Sequence, residues 1–178
     1  MDKTGYMGAA QAERYGPQKC YNAQNHWTLG WFDDRAIKLD TFTRPRILQL
    51  AAFVDYPLTY EREFVVINIA DQHFVQFNRA KDHNTGPGYM ENQVTIVSGD
   101  VSSGTTDLVV GLDMESSEYR FPNFQDTQSD LVIDVCYMRL ENDSDGKTKH
   151  SLATKRRKPD KVILSIALDR SMCKHIGF

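Results

Sequence analysis

The side chains that could do chemistry are few and scattered. The five histidines are His26, His73, His83, His150 and His175. A catalytic zinc commonly takes two histidines three or four residues apart on one helix, plus a third ligand. No two histidines here are closer than ten residues. His73 opens an apparent strand and His83 falls in a loop, and the five are read as ordinary surface histidines. Cys20, Cys136 and Cys173 are too far apart for a Cys-x-x-Cys motif, and an odd count permits at most one internal disulfide, with the pairing open. Asp143-Ser144-Asp145-Gly146 has the texture of a calcium loop. With Glu141 as first ligand, however, the twelfth position is Leu152 rather than a bidentate Glu, so the segment is read as a turn. Asn142-Asp143-Ser144 is an N-glycosylation sequon, which matters only in a secreted chain. There is no His-Glu-x-x-His, no Gly-x-Ser-x-Gly and no P-loop, and Gly86-Pro87-Gly88 is too short for a dinucleotide fingerprint.

Charge is distributed unevenly. The chain has 178 residues and a formal net charge of −3, so no global field favours nucleic acid or an anionic membrane. Residues 147–161 hold seven basic side chains against one acid, Asp160, and residues 99–130 hold seven acids against Arg120 alone. A single-strand nucleic-acid platform needs stacking aromatics inside its basic run, and none is present. The run is read as a solvated hairpin loop with an internal acidic partner available. No stretch of about 18 apolar residues exists to span a membrane. The first residues, MDKTGYMGAAQAER, have no apolar core of the kind a signal peptide carries.

The elements that must position these residues are mostly strands. RAIKLD, RILQLAAFV, EFVVINIA, HFVQFNRA, NQVTIVS, DLVVGLD, SEYRFP, DLVIDVCYMRL and KVILSIALD are short, rich in Val, Ile, Phe and Tyr, and separated by turn residues. Such spacing predicts an antiparallel β-sandwich or barrel, and the sandwich is the architecture expected for residues 33–178. Ahead of it, Pro17 suits a first helical position. Cys20, Ala23, Trp27 and Trp31 recur at spacings of three and four, which predicts a helix of about three turns with these four on its packing face. Asn22, Gln24, Asn25 and His26 fall largely off that face, and Gly30 stands where a C-cap glycine would. The fold class expected is therefore mostly β, with a short N-terminal helical segment in 1–32.

Several pieces coincide with one family. Thr4-Gly5-Tyr6-Met7-Gly8, Lys19-Cys20-Tyr21-Asn22-Ala23 and Trp27-Thr28-Leu29-Gly30-Trp31-Phe32 resemble a segment of the gametolysin-like zinc metallopeptidases, a metzincin-type family. Phe77-Asn78-Arg79 and Asn92-Gln93-Val94-Thr95-Ile96 resemble the family's C-terminal β region. The resemblance implies a Met-turn at Gly5, Met7 and Gly8, with Met7 as the apolar floor of a zinc site. It also implies a closing helix packed through Cys20, Ala23, Trp27 and Trp31. The family's zinc would be held by three histidines of His-Glu-x-x-His-x-x-Gly-x-x-His, with the Glu as general base on the zinc-bound water. That motif is not in this sequence, so no catalytic or metal-binding residue carries over.

The expectation is a C-terminal portion of a longer, extracellular metalloendopeptidase acting on protein or glycoprotein. Residues 1–32 would be the end of its catalytic domain, and this chain alone would be inactive and free of stoichiometric zinc. The alternative is a non-catalytic β-sandwich module that binds glycan or protein.

Overall fold

The computed structural model describes residues 21–84, 89–100, 102, 105–141 and 158–176. All nine apolar segments form strands, and EFVVINIA forms two because it breaks at Val65. The strands are β1 (Ala36–Leu39), β2 (Arg46–Ala51), β3 (Glu63–Phe64), β4 (Val66–Ile69) and β5 (His73–Asn78), followed by β6 (Gln93–Gly99), β7 (Thr106–Leu112), β8 (Glu118–Phe121), β9 (Leu131–Arg139) and β10 (Lys161–Leu168). They form two five-stranded sheets, ordered β1-β4-β5-β6-β7 and β3-β2-β10-β9-β8.

One apolar core lies between the sheets. The first contributes Leu39, Ile67, Ile69, Val75, Phe77 and Ile96; the second contributes Leu48, Leu50, Ile133, Val135, Leu164 and Ile166. Burying side chains of this size yields about 1.5–3 kcal/mol each before conformational entropy is counted. The alternation seen in the sequence has its physical cause here, since one side of each strand turns to this core.

The pairing is not wholly antiparallel. β1–β4 and β2–β3 are parallel, and the other six pairings are antiparallel. The reason is the route of the chain. After β1 it crosses to the second sheet for β2, runs through a 3-10 turn at Phe53–Leu58, and pairs briefly as β3. It then passes through Val65 straight into β4 of the first sheet. β3 and β4 are thus one run that changes sheets, so both halves keep the direction of their earlier neighbours. The tight turn between β4 and β5 takes positive φ at Ala70 and Asp71, and the Asp71 N–H is held by Asn68 Oδ1 at 2.9 Å.

The helix differs from its expected form. It spans Ala23–Leu29 only, and residues 17–20 lie outside the described residues. Asn22 is extended and serves as N-cap, its side-chain oxygen accepting the Asn25 N–H at 2.9 Å. Gly30 caps the other end in the left-handed region at φ 67, as the sequence predicts. At seven residues the helix is too short to hold Trp31, which follows the glycine and leaves the helical face. Expected to pack inward, Trp31 is 52% exposed. The segment at 21–32 lies against the outer face of the first sheet.

Candidate functional site: the helix docked on the first sheet

β4, β5 and β6 are buried on both faces, because one faces the core and the other faces the helix. Cross-strand register puts Gln76 opposite Val66 and Thr95 on the outer face. The helix meets this face mainly through its polar residues, contrary to the expected apolar stripe. Asn22, Gln24 and His26 are all buried, although the sequence pattern sets them off the packing face. Asn22 Nδ2 donates to Thr106 Oγ1 at 2.8 Å, and Gln24 Nε2 donates to the Asp100 carbonyl at 2.9 Å. His26 Nδ1 lies 2.9 Å from Gln76 Oε1, while Gln76 Nε2 donates to the Tyr21 carbonyl. With Gln76 so oriented, the His26 Nδ1 carries the proton. The sheet's outer face presents polar partners here, which is why the polar side of the helix turns inward. Of the expected packing residues, Ala23 is buried and Trp27 is partly buried, its ring 6.5 Å from Phe74.

A glycine allows this close approach. A Cβ on Gly99 would lie 2.1 Å from Gln24 Oε1 and 2.4 Å from the Thr105 carbonyl oxygen. Around His26 the rings of Trp31, Phe32 and Phe53 lie at 5.8, 4.9 and 5.2 Å. Tyr21 packs edge-on against Trp31 at 5.1 Å. The outer rim of this aromatic group is exposed at Trp31 and at Leu29, which is 51% exposed.

A second polar cluster clasps one end of the sandwich. Asp55, Arg79, Lys81 and Asp160 are all buried. Arg79 Nε donates to Asp160 Oδ2 at 2.7 Å, and Lys81 Nζ donates to Asp55 Oδ1 at 2.9 Å and Asp160 Oδ2 at 3.4 Å. The Asp160 N–H donates to Asp55 Oδ2, and Asp160 Oδ1 accepts the Glu141 N–H. Arg79 Nη1 reaches Asn92 Oδ1 at 2.6 Å. Burial works against the Lys81 ammonium, but the Asp55 and Asp160 carboxylates outweigh it and hold its pKa above the ordinary lysine value. The single acid of the basic run is therefore the centre of a buried network. Nothing in local spacing marks Asp160 for that role.

The histidines do not converge. His26 and His73 are not surface residues. His26 is 2% exposed, and His73 stacks on Phe121 at 4.0 Å between the sheets. Burial pushes the His73 imidazole down to about 4. His175 is exposed near the C-terminus, and the His83 side chain and His150 lie outside the described residues. Among the described residues no three His, Cys, Asp or Glu side chains are grouped as metal ligands. The described residues do not fit a zinc site.

The expected Met-turn residues Gly5, Met7 and Gly8, the packing residue Cys20, and the turn at Asp143–Gly146 lie outside the described residues, as does most of the basic run. Cys136 pairs with Cys173. An open cleft of about 380 Å³ lies where Gln93, Asp113, Met114, Glu115, Met138 and Leu140 meet. Hydrogen bonds from the Ser116 backbone and the Gln93 side chain hold the Asp113 carboxyl below its ordinary value. No helix among the described residues is long and apolar enough to cross a membrane. No protein-family model matches the chain, and no curated protein and no solved structure is significantly similar to it.

Proposed function

We propose that this chain supplies the closing helix and the C-terminal β-sandwich of a gametolysin-like zinc metalloendopeptidase, whose zinc ligands and general base lie outside this sequence. One observation carries the reading. In the Tyr21–Phe32 block that resembles the family, one side is anchored on the β-sandwich through Asn22, Gln24 and His26. The same block leaves Leu29 exposed, and Trp31 exposed beside Tyr21. A segment anchored on the sandwich and carrying two exposed large apolar residues suits the junction between two packed units, because exposed apolar patches mark interaction surfaces. The Cys136–Cys173 disulfide supports an extracellular setting, since such bonds persist in oxidising compartments.

In this reading the sandwich holds the junction rigid and contributes surface for a protein or glycoprotein substrate. Peptide-bond hydrolysis would use water activated by the family's zinc. The residues of this chain bind and orient; they hold no reacting proton.

An antibody raised against residues 33–178 tests the reading on the native protein. The expected result is capture of a polypeptide well above 20.4 kDa carrying chelator-sensitive peptidase activity. Capture of a 20.4 kDa species with no such activity would overturn it. That outcome would favour the non-catalytic binding module, for which the cleft beside Asp113 and Glu115 is the natural contact surface.

A further inference from the structure

The C-terminal segment crosses the outer face of the second sheet without joining the core. β10 ends at Leu168, and Asp169 turns the chain at φ 62. This turn is pinned, because the Asp169 N–H donates to the Asp130 carbonyl and Asp169 Oδ1 accepts the Asp130 N–H. Arg120 Nη1 also donates to the Asp169 carbonyl. Residues 171–176 then run over two buried polar side chains that face each other across β9 and β10, Asp134 and Ser165.

The attachment of this segment is polar and covalent. The Ser171 hydroxyl donates to Asp134 Oδ2, and the Met172 N–H donates to Ser165 Oγ at 3.0 Å. Cys173 is joined to Cys136, the extra residue at the bulge where β9 slips register against β10. The 3-10 turn at Cys173–His175 buries no residue, and no described residue after Leu168 belongs to the apolar core. Asp134 Oδ1 has no hydrogen-bond partner, so the segment covers a carboxylate that is only half satisfied.

We propose that residues 171–176 are a disulfide-latched strap over the Asp134–Ser165 pair, opened by thiol reduction while the sandwich stays folded. The hinge is Asp169 and the latch is the Cys136–Cys173 bond. A dithiol reductant balances the step. Its two sulfurs join as a cyclic disulfide, and its two protons and the electron pair pass to Cys136 Sγ and Cys173 Sγ as two thiols. Two hydrogen bonds, one of them to the Asp134 carboxylate, do not hold the six residues of a solvent-facing segment against their conformational entropy. Release exposes the Asp134 carboxylate and the Ser165 hydroxyl on an otherwise intact sheet.

Hydrogen exchange on the purified oxidised chain tests this. Thiols outside the disulfide, Cys20 included, are first alkylated under non-reducing conditions, and dithiothreitol is then added. The expected result is that the Met172, Cys173, His175 and Ile176 amides exchange faster by about tenfold or more, while β9 and β10 amides keep their protection. Reoxidation restores the slow exchange. Unchanged exchange in the reduced chain would overturn the strap. Simultaneous loss of protection in β9 and β10 would overturn it too, by showing that the bond holds the whole sheet. Ser171→Ala provides a second reading. It is expected to quicken strap exchange in the reduced chain and leave the oxidised chain unchanged; the same change in both states argues against a disulfide latch.

Discussion

At Gly99 the absence of a side chain is what lets the helix dock. Gly99→Ala puts a methyl group into Gln24 Oε1 and the Thr105 carbonyl. Overpacking of this kind costs about 1–3 kcal/mol, and a urea unfolding midpoint would register it. At His73 the prediction concerns pH. Its folded pKa is lowered to about 4 by burial, against an ordinary 6.5, so the unfolded chain binds the extra proton between those values. His73 therefore adds to stability above pH 6.5, and that contribution is lost as pH falls from 6.5 towards 4. Urea midpoints measured across this range should fall with pH in the native chain and fall less in His73→Phe, whose ring keeps the stack on Phe121. An equal fall in both would show that other groups carry the pH dependence. His73 and His26 also show what a sequence hides. A histidine opening a strand looks the same whether its side faces water or Phe121, and only the second sheet decides.

The elements were more legible than their attachments. Nine runs of β-branched and aromatic residues give strands because each must turn one face to a shared core, and Gly30 ends the helix because φ 67 suits glycine. The packing face of the helix differs from the one the spacing predicts for a physical reason. A spacing of three and four detects apolar stripes, whereas this helix docks through Asn22, Gln24 and His26 onto a sheet surface that presents Gln76 and Thr106. No local spacing marks the buried clasp either, since Asp55, Arg79, Lys81 and Asp160 meet only after folding. Removing one of its charges should be costly. Asp160→Asn leaves Arg79 and Lys81 short of a buried counter-charge, and breaking such a pair costs about 3–5 kcal/mol. The exposed Lys38–Asp71 pair is the control. Lys38→Ala should leave the urea midpoint unchanged within error, because solvent screens that pair.

At the scale of the molecule the two tryptophans report on what the helix touches. Trp27→Phe leaves Trp31 as the sole emitter, and its fluorescence should be red-shifted and readily quenched by acrylamide. Trp31→Phe leaves Trp27, packed near Phe74, and should give bluer, better protected emission. In a longer polypeptide whose other unit covers the Leu29–Trp31 edge, the Trp31 signal should become protected while the Trp27 signal stays constant. Unchanged quenching of Trp31 in that polypeptide would count against the junction. The chain by itself is expected to hydrolyse no peptide substrate and to hold less than one zinc, and metal analysis with a casein assay checks both.

The passage of β3 into β4 through Val65 gives the sandwich unequal sides. Along that side a single residue carries the backbone from one sheet to the other, and the Val65 N–H is held by the Arg35 carbonyl at 2.7 Å. On the far side β7 reaches β8 through the longer loop of residues 113–117, where Asp113 Oδ1 accepts the Glu115 and Ser116 N–H groups. Sliding one sheet over the other would stretch the short link first, so the layers resist shear there.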